Sequence, residues 1–265
     1  MIIGIVGLGV VGSALQYGFE KLGHKVKVHD IALDTKLKDT LESKVIYVCV
    51  PTPSTDDGHC DVSIVEKVVD ELNTLKYKGA VAIKSTVVPG TTQSLIGKYP
   101  ELKICFVPEF LRERCAVSDF MENHDLLLVG TESYAVYDNV CYSHGKYPNK
   151  IIKVTPTEAE LCKYFNNTFN ASMVVFANSF YEICKHMGAN YTKIKNAVSN
   201  RNHIPGNYLD CNDNFRGFGG VCLPKDTTAL AAVCRDEKLN VDFFQVLLDE
   251  NAKYKTTVYD GMRKE

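Results

Sequence analysis

The chain has 265 residues, of which 45% are hydrophobic and 23% charged, with a formal net charge of -2 and a pI near 6.4. That is apolar material for one large or two modest globular domains. The charge balance lacks the basic excess that gripping a phosphate backbone requires, which excludes nucleic acid as the expected partner. Ten cysteines at 49, 60, 105, 115, 141, 162, 184, 211, 222 and 234 form no Cys-x-x-Cys pair, so neither a zinc framework nor a thioredoxin-type motif is expected and no metal is assigned. They read as reduced, mostly core-filling thiols of a cytoplasmic protein.

The apolar start MIIGIVGLGVVGSAL has no basic leader and is broken by glycines, so it reads as folded structure, with no membrane association expected. MIIGIVGLG predicts a strand, VVGSALQYGFEKLG a helix and HKVKVHD a second strand. Between the first two, Gly7-Leu8-Gly9-Val10-Val11-Gly12 matches G-x-G-x-x-G, and Asp30 closes the second strand. Gly7 permits the tight turn, Gly9 lets backbone approach a pyrophosphate, and Gly12 lets helix and strand pack closely. Asp30 suits the hydroxyls of an adenosine ribose and repels a 2′-phosphate, which favours NAD over NADP.

Further along, KVIYVCVPTP predicts a buried strand and loop, VSIVEKVVDELNTL a helix, and GAVAIKSTVVPGTT another strand and loop, with strands again in LKICFVPEFLRE and NHDLLLVG. Alternation of this kind predicts an α/β, doubly wound parallel Rossmann sheet over 1–154. Pro51-Thr52, Ser85-Thr86 and Pro108-Glu109 fall at strand ends, where ligands bind in such sheets.

From 155 to 265 the pattern turns helical, which predicts a mostly helical central domain. Thr155, Pro156 and Glu158 make a capping-box start and Gly188 a stop. The helix between them carries Leu161, Phe165, Phe169, Val174, Val175, Phe176, Phe180 and Ile183 around most of its circumference, so it is expected to be buried on several sides, within its own fold or against a second subunit. Lys163 and Asn167, four residues apart, share one face. YTKIKNAVSN is a shorter amphipathic segment, RNHIPGNYLDCNDNFRGFGG a polar loop, and FGGVCLPKD leads into further helical pieces.

IVGLGVVG, VCVPTP, KSTVVPGTT, VPEFLRE, EAELCKYFNN and FGGVCLPKD occur in the order found in the UDP-glucose/GDP-mannose dehydrogenase family. The chain resembles that family, and within it the UDP-glucose 6-dehydrogenases. The resemblance implies NAD-dependent oxidation of a nucleotide sugar's C6 alcohol to a carboxylate, UDP-glucose to UDP-glucuronate, in two successive steps through a cysteine thiohemiacetal and thioester. By motif, Cys222 resembles the nucleophile, and Asp226, Lys163 and Asn167 its partners. Thr86 and Glu109 resemble residues that position or activate water. Gly7, Gly9, Val10, Val11, Gly12, Asp30, Thr52, Thr86, Glu113 and Lys225 correspond to the NAD contacts. Glu109, Phe110, Leu111, Arg112, Glu113, Lys163, Asn167, Asn212, Asp213, Asn214, Phe215 and Gly219 correspond to the sugar-nucleotide pocket. A homodimer through the helix near 157–187 is also implied.

The constellation is coherent on its own chemistry. A nucleophilic thiol needs positive charge or exposed N–H groups nearby, a second oxidation requires the aldehyde first to become tetrahedral, and thioester hydrolysis needs an activated water. Plainer roles stand beside these: Asp226 also suits the N-cap of a helix beginning TTALAAV, Glu113 a pair with Arg112 or Arg114, and Arg216 either a phosphate contact or an ordinary surface position. The family continues into a second Rossmann-like domain for the nucleotide, which would begin near KTTVYDGMRKE. A chain without it is expected to bind substrate weakly, act as an NAD-binding or assembly module, or be completed by a separate polypeptide. A 3-hydroxyacid-type NAD dehydrogenase shares the overall pattern, but a single oxidation has no use for the cysteine of FGGVCLPKD.

Overall fold

The computed structural model describes residues 1–254, which fold as two compact units. The first comprises Met1–Pro53 and Asp61–Lys163, the second Ser54–Cys60 and the chain from Tyr164 onward.

The first unit contains β1 (Ile2–Val6), α1 (Val10–Lys21), β2 (Lys25–His29), β3 (Val45–Val48), α2 (Ser63–Thr74), β4 (Ala80–Ile83), α3 (Thr91–Lys98), β5 (Lys103–Phe106), α4 (Ala116–Met121), β6 (Leu126–Gly130), α5 (Tyr134–His144) and β7 (Lys150–Val154). The strands form one sheet in the order β2-β1-β3-β4-β5-β6-β7. Side chains alternate across it, as the period of two demands. Ile46, Val48, Val81 and Ile83 pack toward Val65, Val69 and Leu72 of α2 and Leu95 of α3. Val45, Tyr47, Ala80 and Ala82 face Leu15 and Phe19 of α1, Phe120 of α4 and Val136 of α5. Both faces are thus covered, which is why the strands read as continuous apolar runs.

The sheet departs from the expected all-parallel form at one junction. β5 and β6 are antiparallel, meeting at Phe106 and Gly130, whereas β6 and β7 are parallel again. The link over residues 107–125, through α4, returns the chain into the sheet from the edge it has just left, as an antiparallel neighbour requires. Gly7, Thr52, Thr86 and Glu109 follow β1, β3, β4 and β5, which are parallel neighbours. Their loops therefore share the carboxyl edge of the sheet.

α6 (Pro156–His186) begins in the first unit and continues in the second. Its capping box forms as expected: the Thr155 N–H donates to Glu158 Oε2 at 2.8 Å and the Glu158 N–H to Thr155 Oγ1 at 3.3 Å. Glu160, fully buried, accepts from the N–H groups of Gly90 (2.6 Å) and Thr92 (2.8 Å). A side chain of α6 thereby caps α3, whose own N-cap, Gly90 at φ +96°, has no side chain to do so. Gly188, at φ +67°, ends the helix.

The second unit adds α7 (Tyr191–Val198), α8 (Cys222–Asp236) and α9 (Phe243–Asn251). Ala171 and Val175 of α6 pack with Phe218 and Leu247, and Ala177 and Cys184 with Tyr191, Leu209 and Cys211. The expectation that α6 is buried on several sides within its own fold needs correction. Phe165 is 73% exposed and Phe176 62%, and Leu161, Phe169, Phe180 and Ile183 are exposed as well. Among the described residues no helix is long and apolar enough to cross a membrane.

Candidate active site

At the carboxyl end of β1, the glycine turn has the geometry its spacing implies. Gly7 is at φ +93°, and a Cβ on Gly12 would lie 1.9 Å from the Gly7 carbonyl oxygen, so strand and helix meet at a distance only glycine allows. A Cβ on exposed Gly9 would meet nothing within 4 Å, and Gly9 caps α1 without any side-chain acceptor. The first-turn N–H groups of Val10 and Val11 are thus left to an anion arriving from outside. Asp30 accepts from the Leu8 N–H at 2.6 Å and the Ala32 N–H at 2.8 Å, and these two bonds lower its pKa. It is held ionised at the place a ribose would occupy, with acceptor capacity remaining on both oxygens. These residues fit NAD.

Thr52 and Ser85 lie buried at the same edge and Thr86 is half-buried. Ser85 Oγ donates to the Val50 carbonyl at 2.7 Å, which ties the two loops together. Next to them, Glu109 is fixed from three sides. Its Oε1 accepts from the N–H groups of Phe110 (2.8 Å) and Leu111 (3.0 Å). Its Oε2 lies 3.0 Å from Nζ of buried Lys84 yet accepts no well-directed hydrogen bond among the described residues. Lys163 Nζ donates to the Glu109 main-chain carbonyl. Lys84 heads the KSTVVPGTT motif, directly after the apolar strand Ala80–Ile83, but received no role from it.

Arg112, expected at the substrate, is turned to Asp119. Its Nε and Nη2 donate at 2.9 and 2.6 Å and its N–H at 2.9 Å, and this holds Asp119 down at about 2. Glu113 opens an exposed 3₁₀ turn.

In the second unit, Cys222 is the first residue of α8 and is exposed. The helix begins five residues earlier than a cap at Asp226 requires, because Pro224 falls in its first turn, where proline is tolerated. The N-cap reading of Asp226 is therefore overturned. Asp226 lies inside the helix, fully buried, one turn after Cys222. Its Oδ2 accepts from Asn167 Nδ2 at 2.5 Å, and Asn167 Oδ1 in turn accepts from Asn166 at 2.9 Å, which fixes the orientation of that amide. Lys225 Nζ lies 2.7 Å from Asp226 Oδ1, too oblique for a hydrogen bond, so the attraction is chiefly coulombic.

The segment before Cys222 is held by residues that sequence reasoning did not find. Asn178 Oδ1 accepts from Arg216 Nε (2.8 Å) and the Gly217 N–H (3.2 Å). Asn251 closes a two-way pair with the backbone of Phe218 at 2.8 and 3.0 Å. Arg216 is not an ordinary surface cation: its guanidinium stacks between Tyr181 and Tyr254 at 4.9 and 5.0 Å and pairs with Glu182. Asn212, Asp213, Asn214 and Phe215 form an exposed turn closed by an Asn212–Phe215 bridge, in which Asp213 pairs with Lys185 at 2.9 Å. Gly219 is half-buried.

The sheet and its glycine turn define a dinucleotide-binding protein. More narrowly, the chain belongs to the UDP-glucose/GDP-mannose dehydrogenase family: residues 31–140 match its NAD binding domain and residues 157–253 its central domain. It is similar to the UDP-glucose 6-dehydrogenase AglM of Haloferax volcanii, at 29% identity over all of this chain and 72% of that protein. To the UDP-glucose 6-dehydrogenase TuaD of Bacillus subtilis it is 28% identical, over 98% of this chain and 65% of that one. Among solved structures, a UDP-glucose dehydrogenase from Pyrobaculum islandicum superposes with a TM-score of 0.87 at 25% identity, covering 95% of this chain and 68% of that one. The chain thus spans about two thirds of the length of these relatives.

Proposed function

We propose that the chain carries out the two-step oxidation of the C6 alcohol of a nucleotide sugar, UDP-glucose in the first instance, to the carboxylate. The observation that carries this reading is the first turn of α8. An exposed thiol at a helix N-terminus stands one turn before a buried aspartate held by an asparagine and a lysine. A helix N-terminus favours thiolate over thiol. A fully buried carboxylate with a single well-directed hydrogen bond is expensive to maintain for packing alone, which fits a group kept for proton transfer.

NAD, when bound, accepts a hydride from the sugar carbon at each of the two oxidations. The chain supplies the rest. Gly7, Gly9, Val10, Val11, Gly12 and Asp30 grip the dinucleotide, with Thr52 and Thr86 on neighbouring loops. Asp226 takes the proton that the alcohol must lose, and the amide of Asn167 steadies the oxygen as charge develops. The thiol of Cys222 then adds across the aldehyde, its sulfur bonding to carbon and its proton passing to oxygen, so that a second oxidation yields a thioester. Glu109 removes a proton from water, the resulting hydroxide attacks the thioester carbon, the C–S bond breaks and Cys222 leaves as thiolate. Lys163, by holding the Glu109 carbonyl, fixes the loop that carries this base.

The covalent step is tested by removing the base that ends it. Glu109→Gln incubated with NAD and UDP-glucose is expected to accumulate protein heavier by one uronyl nucleotide, attached at Cys222 in peptide mass spectra. Unmodified Cys222 in a variant that has produced NADH would refute the thioester.

A further inference from the structure

Within the first unit, Lys84, one member of a buried ion pair with Glu109, has no part in the reaction as described. The side chain of Lys84 is 2% exposed and that of Glu109 12%, with Nζ 3.0 Å from Oε2. Lysine is almost never fully buried unless paired, and removing one member of a buried pair leaves the other uncompensated. The pair also has a direction. Oε1 is occupied by two backbone N–H groups, and the backbone of Glu109 is held by Lys163. Oε2 is buried and faces the ammonium charge without accepting a well-directed bond from it. We propose that Lys84 is a positioning residue that compensates the buried charge of the Glu109 carboxylate and fixes its orientation for taking the proton from water. The second half of this statement rests on the reading of Glu109 as the water-activating base.

The test uses Lys84→Met, Lys84→Gln and Lys84→Arg. Infrared difference spectra at neutral pH, without substrate, are expected to show a new protonated-carboxyl band in Lys84→Met and Lys84→Gln. The band should vanish when Glu109→Gln is added and be absent in Lys84→Arg. Removing a cation favours the neutral acid, so the base form appears only at higher pH. In single-turnover hydrolysis of the thioester, the acidic limb of the pH profile should accordingly move upward in Lys84→Gln. The rate on that limb should fall about tenfold for one unit of displacement, recover in alkali, and keep its wild-type profile in Lys84→Arg. A purely structural role would lower the rate at every pH without moving the limb. A folded Lys84→Gln with no carboxyl band and an unmoved limb overturns the proposal. So does a wild-type spectrum from which Glu109→Gln removes a protonated-carboxyl band, a measurement that needs no Lys84 variant to fold. Absence of turnover in the wild type would sink the dehydrogenase reading, while the spectra still decide the hold of Lys84 on Glu109.

Discussion

At the scale of single residues, the candidate site is built from pairs that charge and geometry fix strongly. Arg112 and Asp119 are the clearest case for pH. The value of about 2 for Asp119 lies below the ordinary aspartate value of about 3.9. A depressed carboxylate contributes stability that is present above its unfolded value and lost as pH falls through its folded one. Asp119→Asn is therefore expected to lower unfolding stability at pH 7 by on the order of 2 kcal/mol and to remove part of the stability loss between about pH 4 and 2, both read by denaturant titration. An unchanged midpoint at pH 7 would show that the pair contributes nothing. Legibility at this scale was uneven. Gly7, Gly12 and Asp30 could be read because their roles follow from spacing along one strand–turn–helix unit. Lys84 opens KSTVVPGTT, but its role stays hidden there, because a lysine reads the same whether solvated or paired with a carboxylate from a distant loop. For Asp226 only the plainer alternative, a helix cap, fails, since the tolerance of the first helical turn for Pro224 moves the helix start back to Cys222.

At the scale of elements, α6 is the most informative. Phe165, Phe169, Phe176, Phe180, Ile183 and Met187 are all exposed, and they recur at spacings of three, four and seven residues, which set them along one face. Phe165 stacks on Phe169 and Phe176 on Phe180. An apolar stripe of that length is the kind of surface a second subunit covers, and a homodimer through it remains our proposal. Sedimentation is expected to show a species of about twice 29.5 kDa, and Phe176→Asp to shift it to monomer. A clean wild-type monomer at micromolar concentration contradicts that interface. The ends of α6 were readable from Thr155, Glu158 and Gly188 because caps are local signals. The start of α3 was not, since its cap is Glu160, 70 residues from Gly90. The antiparallel entry of β6 was equally illegible: strand residues report burial, whereas direction depends on how the connection runs.

At the scale of the whole molecule, two compact units carry complementary chemistry, the first an NAD-binding sheet with a fixed carboxylate, the second a thiol at the head of a helix. The proposed pair of successive oxidations on one covalently held sugar is measured directly by the number of NADH formed per UDP-glucose consumed. Two are expected for the native chain, with loss of the second oxidation in Cys222→Ala. One NADH per sugar in the native chain, or none with any nucleotide sugar despite measurable NAD binding, would contradict the proposal.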